Sequence, residues 1–102
     1  MLHRNMTAST VQLGLEDLLG DLQCARRTAD LSRLALLAYC EARRWARTAG
    51  ERELAAQSSK LMTHSPHATR EQFLAEVDEL IVALEQARSR VMDQGDGPGP
   101  QA

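Results

Sequence analysis

The sequence predicts an all-α fold: a small antiparallel bundle of three long helices, with one short helix between the second and the third. Three observations lead there. Ala, Leu, Arg, Glu and Gln, the strong helix formers, dominate the chain. Sheet-favouring residues are scarce, with four Val, one Ile and one each of Phe, Tyr and Trp. Apolar residues recur along two long segments at alternating spacings of four and three, the period of one helix face. With 102 residues, 43% apolar and 25% charged, the chain has the size and composition of one globular domain.

The first helix is expected to start between Thr7 and Thr10, where Thr7, Ser9 and Thr10 can each cap it. Val11, Leu15, Leu18, Leu22 and Ala25 then form one stripe, widened by Leu19. Gly14 and Gly20 weaken this helix by about 1 kcal/mol each. The second helix is capped by Asp30 and stopped by Gly50. Its expected inner face is Leu31, Leu34, Ala38, Ala42, Trp45 and Ala49, which fall within about 80° on a regular wheel. The stripes of these two helices are out of phase across Thr28 to Leu31, which places a break there; one bent helix over residues 10–49 is the alternative.

Glu51 to Met62 reads as the short third helix, with Leu54, Ala55, Leu61 and Met62 available for burial. Pro66 disfavours helical geometry at Ser65, so Thr63 to Ala68 is a loop. Thr69 followed by Gln72 makes a capping box for the last helix. That helix carries Phe73, Val77, Leu80, Leu84, Ala87 and Val91, with Leu74 and Ile81 beside them. The expected organisation is therefore a single helical domain over residues 1–92, flexible over 1–8, followed by a disordered Gly/Pro tail over 93–102.

Charge and cysteine usage exclude several function classes. The formal net charge of −2 gives no overall attraction to nucleic acid or anionic membranes. The longest apolar run, Leu34 to Cys40, is far short of the ~20 residues that cross a bilayer. The N-terminus lacks the apolar segment of a signal peptide. Cys24 and Cys40 form no Cys-x-x-Cys pattern, which suits a reducing compartment. A cytoplasmic protein without a membrane partner is the expectation.

No motif points to catalysis or to a cofactor. His64 and His67 supply half of a metal site, which a carboxylate such as Glu71 would have to complete, so no metal is expected. Neither cysteine stands at a helix N-terminus, where its thiolate would be stabilised. Carboxylates such as Glu76 and Glu79 read as solvated faces or ion-pair partners, and no Gly-rich phosphate loop exists.

The sharpest feature is an arginine group. Arg26, Arg27, Arg33, Arg43, Arg44, Arg47 and Arg52 stand against Asp30, Glu41 and Glu51, whereas Glu71 to Asp93 carries six acids against Arg88 and Arg90. On a regular second helix Arg33, Arg44 and Arg47 lie within roughly 60° of one another, with Cys40 among them and Leu36 and Leu37 flanking. A surface of mixed Arg and Leu suits a protein interface, because guanidinium is weakly hydrated and pairs bidentately with carboxylates. Arg33, Leu36, Leu37, Cys40, Arg44 and Arg47 are accordingly the candidate interaction surface. The expected function is a non-enzymatic protein-interaction module: a small homodimeric regulator, or an adaptor or chaperone-like protein. Its partner is another protein or a second copy, and Glu76 and Glu79 are the first candidates to meet the arginines. The alternative is a nucleic-acid-binding regulator that uses the same arginines.

Overall fold

The computed structural model describes the backbone of residues 2–67 and 69–96, and the side chains of 10–67 and 69–91. Those residues are helical, without strands, and form four helical rods joined by short turns. The first rod is α1 (Leu2–Arg27). The second runs from Leu31 to Ala49 in three pieces, α2 (Leu31–Leu36), a π-helical turn (Leu37–Glu41) and α3 (Ala42–Ala49). The third is α4 (Arg52–Thr63) and the fourth α5 (Arg70–Asp96).

The turns follow from identifiable residues. At the end of α1, Ala29 turns left-handed with φ of 54°, and the Asp30 amide donates back to the Ala25 carbonyl at 2.9 Å. The Asp30 carboxylate then accepts the Arg33 amide at 3.2 Å and caps α2, so the break expected at residues 28–31 is present. Gly50 adopts φ of 77° at the C-cap of α3, where the Glu51 amide reaches the Ala46 carbonyl at 2.8 Å. The Thr69 hydroxyl accepts the Gln72 amide at 3.0 Å and starts α5.

Two boundaries differ from expectation. Helix begins at Leu2, before the caps at Thr7 to Thr10, and α5 continues through residues 93–96. The remainder of the expected tail, 97–102, lies outside the described residues.

The core is one cluster that draws on every rod. Leu15, Leu22, Leu34, Val77, Leu80 and Leu84 are fully buried. The stripes expected on α1 and α5 face inward, with Val11 and Val91 half-buried at the margin. Three ties fix the pairing of α1 with α5: Arg26 with Asp78 at 2.8 Å, Gln23 with Glu85 at 3.2 Å, and Glu16 with Arg88 at 2.7 Å. Residue numbers fall along α1 as they rise along α5, so these two helices run antiparallel. Arg90 also ties α5 to the start of α4 through Glu51, at 2.7 Å.

The second rod departs most from the sequence reading, which expected an uninterrupted long helix. Its buried residues are Leu34, Leu37 and Ala38 before or within the π-turn, then Ala42, Trp45 and Ala46 after it. On a regular wheel these two groups are out of phase by about 80°. One inserted residue slips a helix face by up to roughly 100°, and the π-turn supplies that insertion. Leu37 and Ala46 therefore point inward, whereas Leu31 is 36% exposed. The buried Ser58 on α4 donates its hydroxyl hydrogen bond to the Ala38 carbonyl inside the π-turn.

Two sets of substitutions test this arrangement. Leu84→Ala should lower stability by about 2–5 kcal/mol in thermal or denaturant unfolding, as buried Leu truncations do. A midpoint within a degree or two of the parent would refute the core assignment. The same change, Gly to Ala, should have opposite signs at two positions. Gly20 is helical with nothing within 4 Å of an added Cβ, so Gly20→Ala should stabilise by about 0.5–1 kcal/mol. Gly50 is left-handed, so Gly50→Ala should cost about 1 kcal/mol or more.

Candidate functional site: a polarised groove between the first two rods

Trp45 sets the geometry of the site. Its indole Nε1–H donates to the Val11 carbonyl of α1 at 2.9 Å, and the side chain is largely buried. A Cβ on Gly14 would stand 3.4 Å from Trp45 Cδ1, so the missing side chain leaves room for the ring beside α1. Further along, Arg33 and Asp21 lie 3.8 Å apart. These two contacts show that α1 and the second rod also run antiparallel. Between them opens a groove of about 520 Å³.

The groove has an apolar floor and charged lips. Val11, Leu18, Leu37 and Trp45 line its floor. The α1 lip carries Asp17 and Asp21, and the opposite lip carries Arg33, Leu36, Glu41 and Arg44. Leu36 is 54% exposed, a large apolar side chain left uncovered at the edge of an apolar floor. Arg44 is tied to Glu41 on its own rod at 2.9 Å and remains 75% exposed. Asp17 has no ion-pair partner among the described residues.

Of the six residues expected to form one surface, the structure brings four to this groove: Arg33, Leu36, Leu37 and Arg44. Leu37 is a correction, because it is buried in the floor instead of flanking the arginines. Arg47 is a second correction. The slip at the π-turn carries it towards α4, where it and Arg43 border a shallow hollow with Ala55, Ala56 and Ser59. Cys40 is exposed but lines neither cavity, and Cys24 is exposed as well. Arg27, Arg43, Arg47 and Arg52 form no ion pair among the described residues.

The acidic partners expected for these arginines are also placed differently. Within the chain, α5 pairs with Arg26 of α1 through Asp78, not with Arg33, Arg44 or Arg47. Glu76 is held by the two histidines of the α4–α5 loop. His67 Nε2 stands 3.1 Å and His64 Nδ1 3.6 Å from the same Glu76 Oε1. The His67 side chain is only 4% exposed and meets Phe73 edge-on, with ring centroids 5.3 Å apart. The carboxylate that reaches the histidines is thus Glu76, two turns into α5, and not Glu71 in its first turn. Burial pushes the Glu76 carboxyl up, but the hydrogen bond and charge of His67, helped by Gln72 and His64, outweigh it and hold the group below its ordinary value. Among the described residues no group of three or more His, Cys, Asp and Glu is placed to hold a metal ion. No described helix is long and apolar enough to cross a membrane.

Comparison with known proteins adds no relative: no family model matches the chain, and no curated protein or solved structure is significantly similar to it.

Two measurements check these assignments. Trp45→Phe keeps an aromatic ring but loses the bond to the Val11 carbonyl, and should cost about 1 kcal/mol. An unchanged midpoint would show that the indole N–H does not anchor the rod. The depressed Glu76 carboxyl contributes stability above the ordinary carboxylate range, and that contribution is lost as pH falls through its folded value. Glu76→Gln should therefore flatten the acid limb of the stability profile. An acid limb identical to the parent's would refute the clasp.

Proposed function

We propose that this protein is a non-enzymatic helical interaction module, a small regulator or adaptor that receives another polypeptide in the groove between α1 and the second rod. The observation that carries the reading is the groove itself: an apolar floor beside exposed Leu36, flanked by acids on one lip and arginines on the other. Apolar centre and charged rim is the anatomy of a protein-binding patch, in which the floor supplies affinity and the rim sets register.

The nucleic-acid reading has its own support in Arg43 and Arg47, which border the hollow beside α4 and form no ion pair among the described residues. Phosphate contacts need such free cations. The groove is favoured because it adds an apolar floor, which a phosphate backbone would leave unused.

Photocrosslinking separates the two readings. A benzophenone amino acid in place of Leu36 should form a covalent adduct with a protein when its own cells are irradiated. The same group in place of Val82, half-exposed on α5, should not form that adduct. Equal labelling from both positions would overturn the reading. Binding of bulk DNA or RNA that falls steeply with salt and is lost in Arg43→Glu/Arg47→Glu would replace it with the alternative.

A further inference from the structure

Charge is segregated across the groove, not mixed along it. The α1 lip carries Asp17 and Asp21; the other carries Arg33 and Arg44, with Glu41 already held by Arg44. A ligand that satisfies both lips must be basic on one flank, acidic on the other and apolar between. This chain carries that pattern itself. We infer that the occupant of the groove is a second copy of the chain, related to the first by a two-fold axis running along the groove. The inference rests on reading the groove as a protein-binding surface.

Symmetry selects this axis from the alternatives. A two-fold rotation along the groove exchanges left and right but keeps height, so each basic lip faces the other copy's acidic lip. A two-fold axis across the groove would set acid against acid and arginine against arginine, a juxtaposition that like-charge repulsion disfavours. The heights agree with the first arrangement. Arg33 is level with Asp21 in one chain, where the two stand 3.8 Å apart, so it meets Asp21 of the second copy at the same level. Arg44 stands next to Trp45, which contacts Val11 and Gly14. Asp17 lies about one helical turn from there, within the reach of an arginine side chain. Leu36, 54% exposed on the basic lip of one chain, is carried by the same rotation onto the α1 lip of the other and is covered there. The long Arg33–Asp21 contact is replaced by its equivalent between copies, and Arg44 is shared between Glu41 of its own chain and Asp17 of the other.

Charge exchange tests the inference directly. Light scattering of the purified chain over a range of concentrations should show a monomer–dimer equilibrium. Asp17→Arg/Asp21→Arg makes both lips basic, and Arg33→Glu/Arg44→Glu makes both acidic. Each variant alone should bind itself roughly tenfold or more weakly than the parent. An equimolar mixture of the two should recover a 1:1 dimer, because every lip again meets its opposite. All four positions are exposed, and unchanged helix content by circular dichroism checks that the fold is kept. If either variant loses helix content, Leu36→Gln decides, since it should weaken the dimer without touching a charge. A parent chain monomeric to about 1 mM, or a dimer whose mixture of variants fails to recover, overturns the inference. If the parent is monomeric while Leu36 still crosslinks to a different protein in cells, the groove remains a binding surface and only the self-association fails. Loss of both overturns the reading of the groove as well.

Discussion

The rest of the structure depends on one irregularity, the π-turn at Leu37–Glu41. A regular helix from Leu31 to Ala49 could not present both Leu34 and Ala46 to the same core, because their face would drift with each turn. The inserted residue resets the phase, so Leu34 before the turn, Ala38 within it, and Ala42 and Ala46 after it share one side. π-turns are rare and occur mostly as single-turn bulges inside α-helices. Here the packing is specific: Ser58 of α4 is fully buried with its hydroxyl on the Ala38 carbonyl. A buried hydroxyl without a partner would be costly, so Ser58 and the π-turn support each other.

That reset also explains why the arginines divide. With the phase slipped, Arg33 and Arg44 stay on the side facing α1, whereas Arg43 and Arg47 swing towards α4. Leu36 precedes the slip and remains outside, and Leu37 enters the core. Trp45, placed by the slip at the α1 side, reaches Val11 across the gap and ties the two rods at that level. The groove is what remains between rods that an indole ties at one end and an arginine–aspartate contact spans at the other.

Much of this was legible in the sequence, because it is written locally. Asp30, Gly50 and the Thr69–Gln72 pair act over three or four residues, and each appears where its chemistry places it. The four-three stripes of α1 and α5 survive because both helices are regular along their buried length. The second rod was legible only to the π-turn. A wheel of constant step cannot register an inserted residue, so Leu37 and Ala46 were missed from the core and Arg47 was assigned to the wrong face. The sequence signal of the slip is that Ala42 and Ala46 lie off the wheel face of Leu34 and Leu37, and alanines mark it faintly. The pairing of Glu76 with His64 and His67 was illegible for a different reason. It depends on how the α4–α5 loop folds back over α5, a tertiary fact that no spacing encodes.

Gly14 shows how local cost and tertiary gain combine at the groove. Within α1 it is a poor choice, unfavourable by about 1 kcal/mol relative to Ala. Next to Trp45 an added Cβ would stand 3.4 Å from the indole, at the edge of ordinary contact. The close approach brings the Nε1–H within bonding distance of a carbonyl inside α1, and burial of an aromatic side chain contributes far more than the helix loses. The cost falls on the helix and the gain on the interface between rods, so the glycine reads as a defect in a wheel and as a fitted surface in the fold. Since the same ring forms part of the groove floor, the contact that joins the two rods also shapes the surface a partner would meet.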